Sequence, residues 1–244
     1  MENLIVIKIG GVASKQLSQG FMKQIKHWKQ AGKQVIIVHG GGFAINKLME
    51  ERQLAVEKVD GLRVTSHEVM KLVAFGLLEQ VGKDMVASLN AAGCDCLQLR
   101  SNLGKVIQAD FLDKKKYGYV GKVTGIHTAY LEELLQEGLT PVLASMGGKD
   151  DELLNINADY VATDLAIALK AERLILMTDV PGVKEDGQVI SQLSTKQAQE
   201  KIRSGVITGG MVPKIKGASE TVEAGVQTVL ISDNLVKGTL IHLT

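Results

Sequence analysis

Six short runs rich in Val, Ile and Leu recur along the chain: "LIVIKI", "QVIIVH", "CDCLQL", "TPVLAS", "RLILMT" and "QTVLIS". Runs that stay apolar along their length suit strands covered on both faces, as in a parallel sheet. Between them lie segments of helical period, Ser18 to Ala31, Ser66 to Ala92, Thr128 to Gln136 and Ala158 to Lys170. This alternation predicts an α/β fold, an open and mainly parallel central sheet with helices on both faces. Around Arg100 to Thr128 the extended pieces shorten about "KKKYGYVGK", which predicts antiparallel hairpins added to the edge of the first half, a candidate lid. A further hairpin is expected at "GVKEDGQVI", where Asp186-Gly187 supplies the positive φ of a tight turn.

With 244 residues, 45% of them hydrophobic, the chain can build one large domain or two closely packed lobes on a continuous sheet. The strand "RLILMT" after Lys170 is the expected boundary, giving an N-terminal lobe over 1–172 and a C-terminal lobe over 173–244. A net charge of +1 and 4% aromatics argue against a nucleic-acid groove and favour small-molecule partners. Cys94 and Cys96 are too few for structural zinc and too close for an unstrained disulfide, so both are expected to be reduced packing residues. "MEN" leads straight into the first strand without a basic, apolar leader, so the expectation is a cytoplasmic protein with no membrane anchor.

Chemistry is expected at the glycines. "KIGG" (Lys8 to Gly11) and "HGGG" (His39 to Gly42) each sit just past a predicted strand, where open α/β sheets bind ligands. Neither continues as a P-loop or as a Rossmann fingerprint. Glycine there lets backbone N–H groups approach an anion, and a following helix N-terminus adds positive character, although tight-turn geometry alone would also call for it. Lys8 lies inside an apolar strand and needs either an anionic partner or exposure at a sheet edge. Lys214, in "ITGGMVPKI", follows Pro213 in what should be a first helical turn, unfavourable for a cation unless an anion is also present. In "NINADYVATDLAIAL", Asn157 suits an N-cap and Asp159 a first-turn acid, which leaves Asn155 without a structural reason. A carboxylate between two lysines would fix both ammonium groups. Arg63, in "GLRVT", offers a planar fork suited to a carboxylate, or is simply an exposed residue before a helix.

Taken in order, "KIGG", "VHGGG", "GLRVT", "YGYVGKV", "NINAD", "TDVPGV" and "ITGGMVPKI" resemble the amino acid kinase superfamily over essentially the entire chain. "GLRVT", "NINAD" and "ITGGMVPK" together resemble its acetylglutamate branch. The resemblance implies ATP-dependent phosphorylation of the γ-carboxylate of N-acetyl-L-glutamate, a step of arginine biosynthesis. Lys8 and Lys214 would stabilise charge on the transferring phosphoryl group, with Asp159 organising both. Gly41 and Gly42 would supply N–H donors, while Arg63 and Asn155 would hold the amino acid, Arg63 on its α-carboxylate. The nucleotide would be lined by Gly10, Gly11, Thr178, Asp179, Val180, Pro181, Gly182, Val183, Thr208, Gly209, Gly210 and Met211.

A carboxylate needs no general base to attack phosphorus, so lysines and backbone donors suffice and His39, His67 and His127 are read as structural. No acidic cluster suggests a protein-held metal, and Mg²⁺ is expected to bind through the ATP phosphates and water. Two stretches depart from the family pattern, "SNLGK" after "CDCLQLR" and "SMGGKDDELL". Arginine-inhibited relatives carry an extra helix before the first strand. Here that strand starts at about Leu4, which predicts a homodimer not inhibited by arginine. The competing readings are another superfamily kinase with a related acidic substrate and a non-catalytic nucleotide-binding regulator of the same fold.

Overall fold

The computed structural model describes residues 3–10 and 17–243, so the expected nucleotide contact Gly11 lies outside the described residues. Its centre is an eight-stranded sheet. The strand order is Gln192–Ser194, Thr239–His242, Thr228–Ser232, Arg173–Met177, Leu4–Ile9, Gln34–His39, Thr140–Ala144 and Cys96–Gln98. Neighbours pair in parallel except Thr228–Ser232 with Thr239–His242. Leu4–Ile9 is buried throughout and pairs with Gln34–His39 on one side and with Arg173–Met177 on the other. The sheet therefore runs unbroken across residue 172. The order reverses at this strand, which opens a crevice beyond the carboxyl ends of the three strands.

Apolar residues on the two faces of the sheet feed two separate cores. Leu4, Val6, Ile36 and Val38 join one; Ile5, Ile7, Val35 and Ile37 join the other. This is the pattern expected of strands covered on both sides. The helices begin with recognisable caps: Ser18 accepts from the Phe21 N–H, Ser66 from Val69, and Ser194 forms a capping box with Gln197.

The long helical segment after Ser66 is not uniform. It runs as an α-helix over His67–Phe75, widens to a π-helix over Gly76–Gly82, and returns to α over Lys83–Ala91. The expected insertion at Arg100 to Thr128 does contain an antiparallel pair, Ile107–Phe111 with Gly121–Ile126. It is not added to the edge of the central sheet. It belongs to a separate four-stranded sheet with Met146–Lys149 and Glu152–Asn155, because the chain leaves Thr140–Ala144 at Ser145 and enters the second sheet at once.

The two stretches that depart from the family pattern meet here. A Cβ on Gly148 would come within 2.5 Å of the Gly104 carbonyl, so "SNLGK" and "SMGGK" depend on each other's missing side chains. The hairpin at Lys184–Glu185 and Gln188–Val189 turns through Asp186 (φ 48°) and Gly187 (φ 79°), as read from the sequence. Cys94 and Cys96 are free and buried.

Candidate active site

Lys8 is buried at 6% exposure near the end of a central strand, so of the two options for a charge in that strand the anionic partner holds. Its Nζ lies 2.8 Å from Asp159 Oδ1 and donates to the Met177 carbonyl at 2.9 Å. Gly10 makes room for this side chain, since a Cβ there would stand 2.9 Å from the ammonium. Asp159 occupies the first turn of the helix Ala158–Ala168, whose N-cap Asn157 accepts the Asp159 N–H at 2.8 Å. Lys214 approaches the other carboxylate oxygen, 3.5 Å from Oδ2, from the first turns of Met211–Glu223. Burial works to raise the Asp159 carboxyl, but the charges of Lys8 and Lys214 and their hydrogen bonds prevail and hold it below the usual carboxylate range.

The three glycines of "HGGG" have different surroundings. At Gly40 a Cβ would touch Ala158 at 3.7 Å, bringing the loop against the helix that carries Asp159. At Gly41 it would run into Leu77 and Val81 of the π-helix, at 2.7 and 2.9 Å. Packing alone thus requires glycine at Gly41. At Gly42 nothing lies within 4 Å of the added atom, and the helix Gly42–Glu51 begins there with no side-chain cap. Its N-terminus keeps anion-binding capacity on an open side.

Arg63, from the short strand Leu62–Arg63, reaches the same helix with its side chain. One of its nitrogens donates to Asn46 Oδ1 and lies 3.5 Å from the Gly42 carbonyl, and another lies 3.2 Å from Met49 Sδ. Asn155 joins through Thr65, donating from Nδ2 to Thr65 Oγ1 at 3.2 Å. Thr65 is fully buried. Its hydroxyl donates to the Arg63 carbonyl at 2.8 Å, and its backbone pairs with Tyr117 and Tyr119. Gly118 (φ 69°) is tied to this contact, since a Cβ would stand 2.3 Å from the Thr65 carbonyl.

Asn46 and Thr65 did not stand out in the sequence. Asn46 carried a usable signal, because positions 42, 46 and 49 follow one stripe of a helix. Thr65 carried none, as Tyr117, Tyr119 and Asn155 are remote in the chain.

Of the residues expected around a nucleotide, Thr178 to Val183 follow Met177, whose carbonyl holds Lys8. Thr178 donates its N–H to the Ser232 carbonyl, Asp179 and Val180 are exposed, and Pro181 is half-buried. Gly182 and Val183 face inward. A Cβ on Gly182 would meet Thr239 Oγ1 at 2.7 Å, and Val183 is buried with its N–H on the same hydroxyl. Thr208, Gly209 and Gly210 are exposed and Met211 is half-buried; a Cβ on either glycine would find nothing within 4 Å.

His39 is fully buried, and burial pushes its imidazole down to about 4 despite a bond to the Gly40 carbonyl that works the other way. Among the described residues, no group of three or more His, Cys, Asp or Glu side chains is placed to hold a metal ion. No helix among them is long and apolar enough to cross a membrane.

An acetylglutamate kinase from Streptococcus mutans is 57% identical over 242 residues, covering 99% of each chain. One from Streptococcus sanguinis is 55% identical over the same length and coverage. A solved structure from Streptococcus mutans superposes with a TM-score of 0.92 at 56% identity, covering 100% of both chains. The sequence profile of the Amino acid kinase family matches residues 3–233, so the loops, the lysines and the carboxylate between them lie within its span, and the chain belongs to that family.

Proposed function

We propose that this chain transfers the γ-phosphoryl group of ATP to the γ-carboxylate of N-acetyl-L-glutamate, giving N-acetyl-L-glutamyl 5-phosphate and ADP for arginine biosynthesis. The observation that carries the reading is one carboxylate, Asp159, holding two lysines from opposite halves of the chain at the carboxyl edge of a parallel sheet. Relatives named acetylglutamate kinase at 55–57% identity support the substrate.

The reaction brings two anions together, so the protein's task is alignment and neutralisation. A substrate carboxylate oxygen attacks phosphorus in line, the P–O bond to ADP breaks, and no proton moves. Lys8 and Lys214 face the charge gathering on the transferring group, and Asp159 keeps both charged and in place. Gly41 and Gly42 offer N–H donors from the opposite side. Arg63, held by Asn46, grips the α-carboxylate, and Asn155 holds the amide end with Thr65 behind it. Gly10, 178–181 and 208–211 line the nucleotide, and Gly182 and Val183 anchor the first of these loops from beneath. Mg²⁺ would be carried by the ATP phosphates and water, where it would offset phosphate charge, since Asp159 is already engaged by two ammonium groups. In solution the chain is a cytoplasmic homodimer with two lobes, 1–172 and 173–244, sharing one sheet.

The test is ATP-dependent trapping of the acyl phosphate with hydroxylamine, offering N-acetyl-L-glutamate, L-glutamate or L-aspartate. Product with the acetylated substrate alone is expected. Product with another acid would move the assignment to a different carboxylate kinase, and none with any acid would leave only a nucleotide-binding protein of this fold.

A further inference from the structure

His39 ends the strand Gln34–His39 and is completely buried. Its Nδ1 lies 3.0 Å from the Gly40 carbonyl oxygen. A carbonyl only accepts, so that nitrogen carries the proton and Nε2 is left as a bare acceptor. Nε2 is buried with no hydrogen-bond partner. It sits against Gly82, where an added Cβ would stand 2.9 Å from it and closer still to the Gln98 amide, which donates one N–H to the Leu78 carbonyl. The ring is thus wedged between the glycine loop and the π-helix. The same π-helix supplies Leu77 and Val81 beneath Gly41. Such helices concentrate at functional sites.

An unpaired buried acceptor destabilises a fold, and an apolar residue of similar size would avoid that cost. A residue needed for packing alone has no reason to carry it. What the imidazole supplies and an apolar side chain lacks is the Nδ1–H bond to Gly40. In a trans peptide the C=O of Gly40 and the N–H of Gly41 point in opposite directions, so fixing one fixes the other.

We propose that His39 is a positioning residue for phosphoryl transfer: by holding the Gly40 carbonyl it orients the Gly41 N–H toward the group in flight, with Gly82 leaving the space that the ring needs. This rests on the role given to Gly41 above.

The test compares His39→Asn, His39→Gln and His39→Leu, assayed with N-acetyl-L-glutamate and MgATP and melted in parallel. Asparagine can place a donor where Nδ1 stands, glutamine places its amide farther out, and leucine removes both nitrogens. For a misaligned donor, kcat in the Leu and Gln variants should fall by about 10²-fold, with KM for either substrate within about threefold. His39→Asn should recover most of kcat. His39→Leu should melt no lower than wild type, since it removes the unpaired acceptor. Loss of activity without loss of stability is the signature that a packing role cannot give.

Wild-type kcat in His39→Leu, or an Asn variant no better than Gln, would overturn the inference. If the Leu variant does not fold, the Asn and Gln pair decides it. Failure of the wild type itself to form an acyl phosphate would instead overturn the function proposed above.

Discussion

Lys8 and Lys214 reach the same carboxylate and are held very differently. Lys8 rises from a buried central strand, has a second partner in the Met177 carbonyl, and has an 8% exposed side chain. Lys214 has a 30% exposed side chain, stands 3.5 Å from Asp159, and follows a glycine turn with open space where Cβ atoms would go. One half of the site is built into the sheet before any ligand arrives, and the other is placed by a helix N-terminus with few restraints. Pre-set charge is the more effective kind in catalysis, because it need not be reorganised when the reaction occurs.

The largest test of that contrast is the pair of alanine substitutions, read by acyl phosphate trapping. Lys8→Ala should lower kcat by about 10³-fold, at the upper end for removing one preorganised group. Lys214→Ala should lower it by about 10²-fold and raise KM for ATP, since this lysine must be drawn into place by the nucleotide. Equal losses in kcat would break the comparison and make the two lysines equivalent.

The second test uses two aspartates of one helix, whose carboxyls shift in opposite directions. Asp159 is held below its ordinary 3.8 by the lysines, against burial, whereas burial alone pushes Asp164 up to about 6. Asp159→Ala would leave Lys8 buried without a counter-charge. Breaking a buried pair, reduced for the partial exposure of Asp159, should cost about 3 kcal/mol, or roughly 6–12 °C in Tm. A depressed carboxyl stabilises the fold above its unfolded pKa, so this gap should persist from pH 7 to about 5 and close below about 4.

Asp164 has the reverse sign. Its folded form keeps a proton that the unfolded chain releases, so stability is lost as pH rises from about 4 through 6. Asp164→Asn should therefore melt with wild type at pH 4 and gain about 2 kcal/mol at pH 7. A gain already present at pH 4 would show that something other than ionisation is responsible.

The same unevenness separates what was legible in the sequence from what was not. Lys8 was legible because a charge inside an apolar run demands a partner, and Asp159 because a carboxylate between two lysines would fix both ammonium groups. The parallel sheet followed from the unbroken apolar runs. The π-helix was not legible, since Ser66 to Ala92 reads as one amphipathic segment and only packing against Gly41 and His39 reveals the wider turn. The second sheet was missed because one residue, Ser145, separates strands of two sheets. The departures at "SNLGK" and "SMGGK" lie far apart in the chain, and only the fold sets Gly104 against Gly148. Local signals show what a residue needs; distant ones decide which neighbour supplies it.

Glycines give the smallest and sharpest version of the comparison. Gly41 and Gly210 are both assigned to phosphate-facing loops, but only Gly41 is enclosed, its missing Cβ replaced by Leu77 and Val81. Gly210 has an ordinary φ of −66° and open space where a Cβ would go. Gly41→Ala should cost about 1–3 kcal/mol through overpacking, whatever it does to activity. Gly210→Ala should gain about 0.5 kcal/mol, by restricting the unfolded chain at a compatible φ, while activity falls through a raised KM for ATP. If Gly210→Ala leaves that KM unchanged, the second loop does not approach the nucleotide, and its glycines serve only the turn that aims Lys214. If Gly41→Ala is as stable as wild type, the π-helix yields under the loop, and the pre-set half of the site is less rigid than its burial implies.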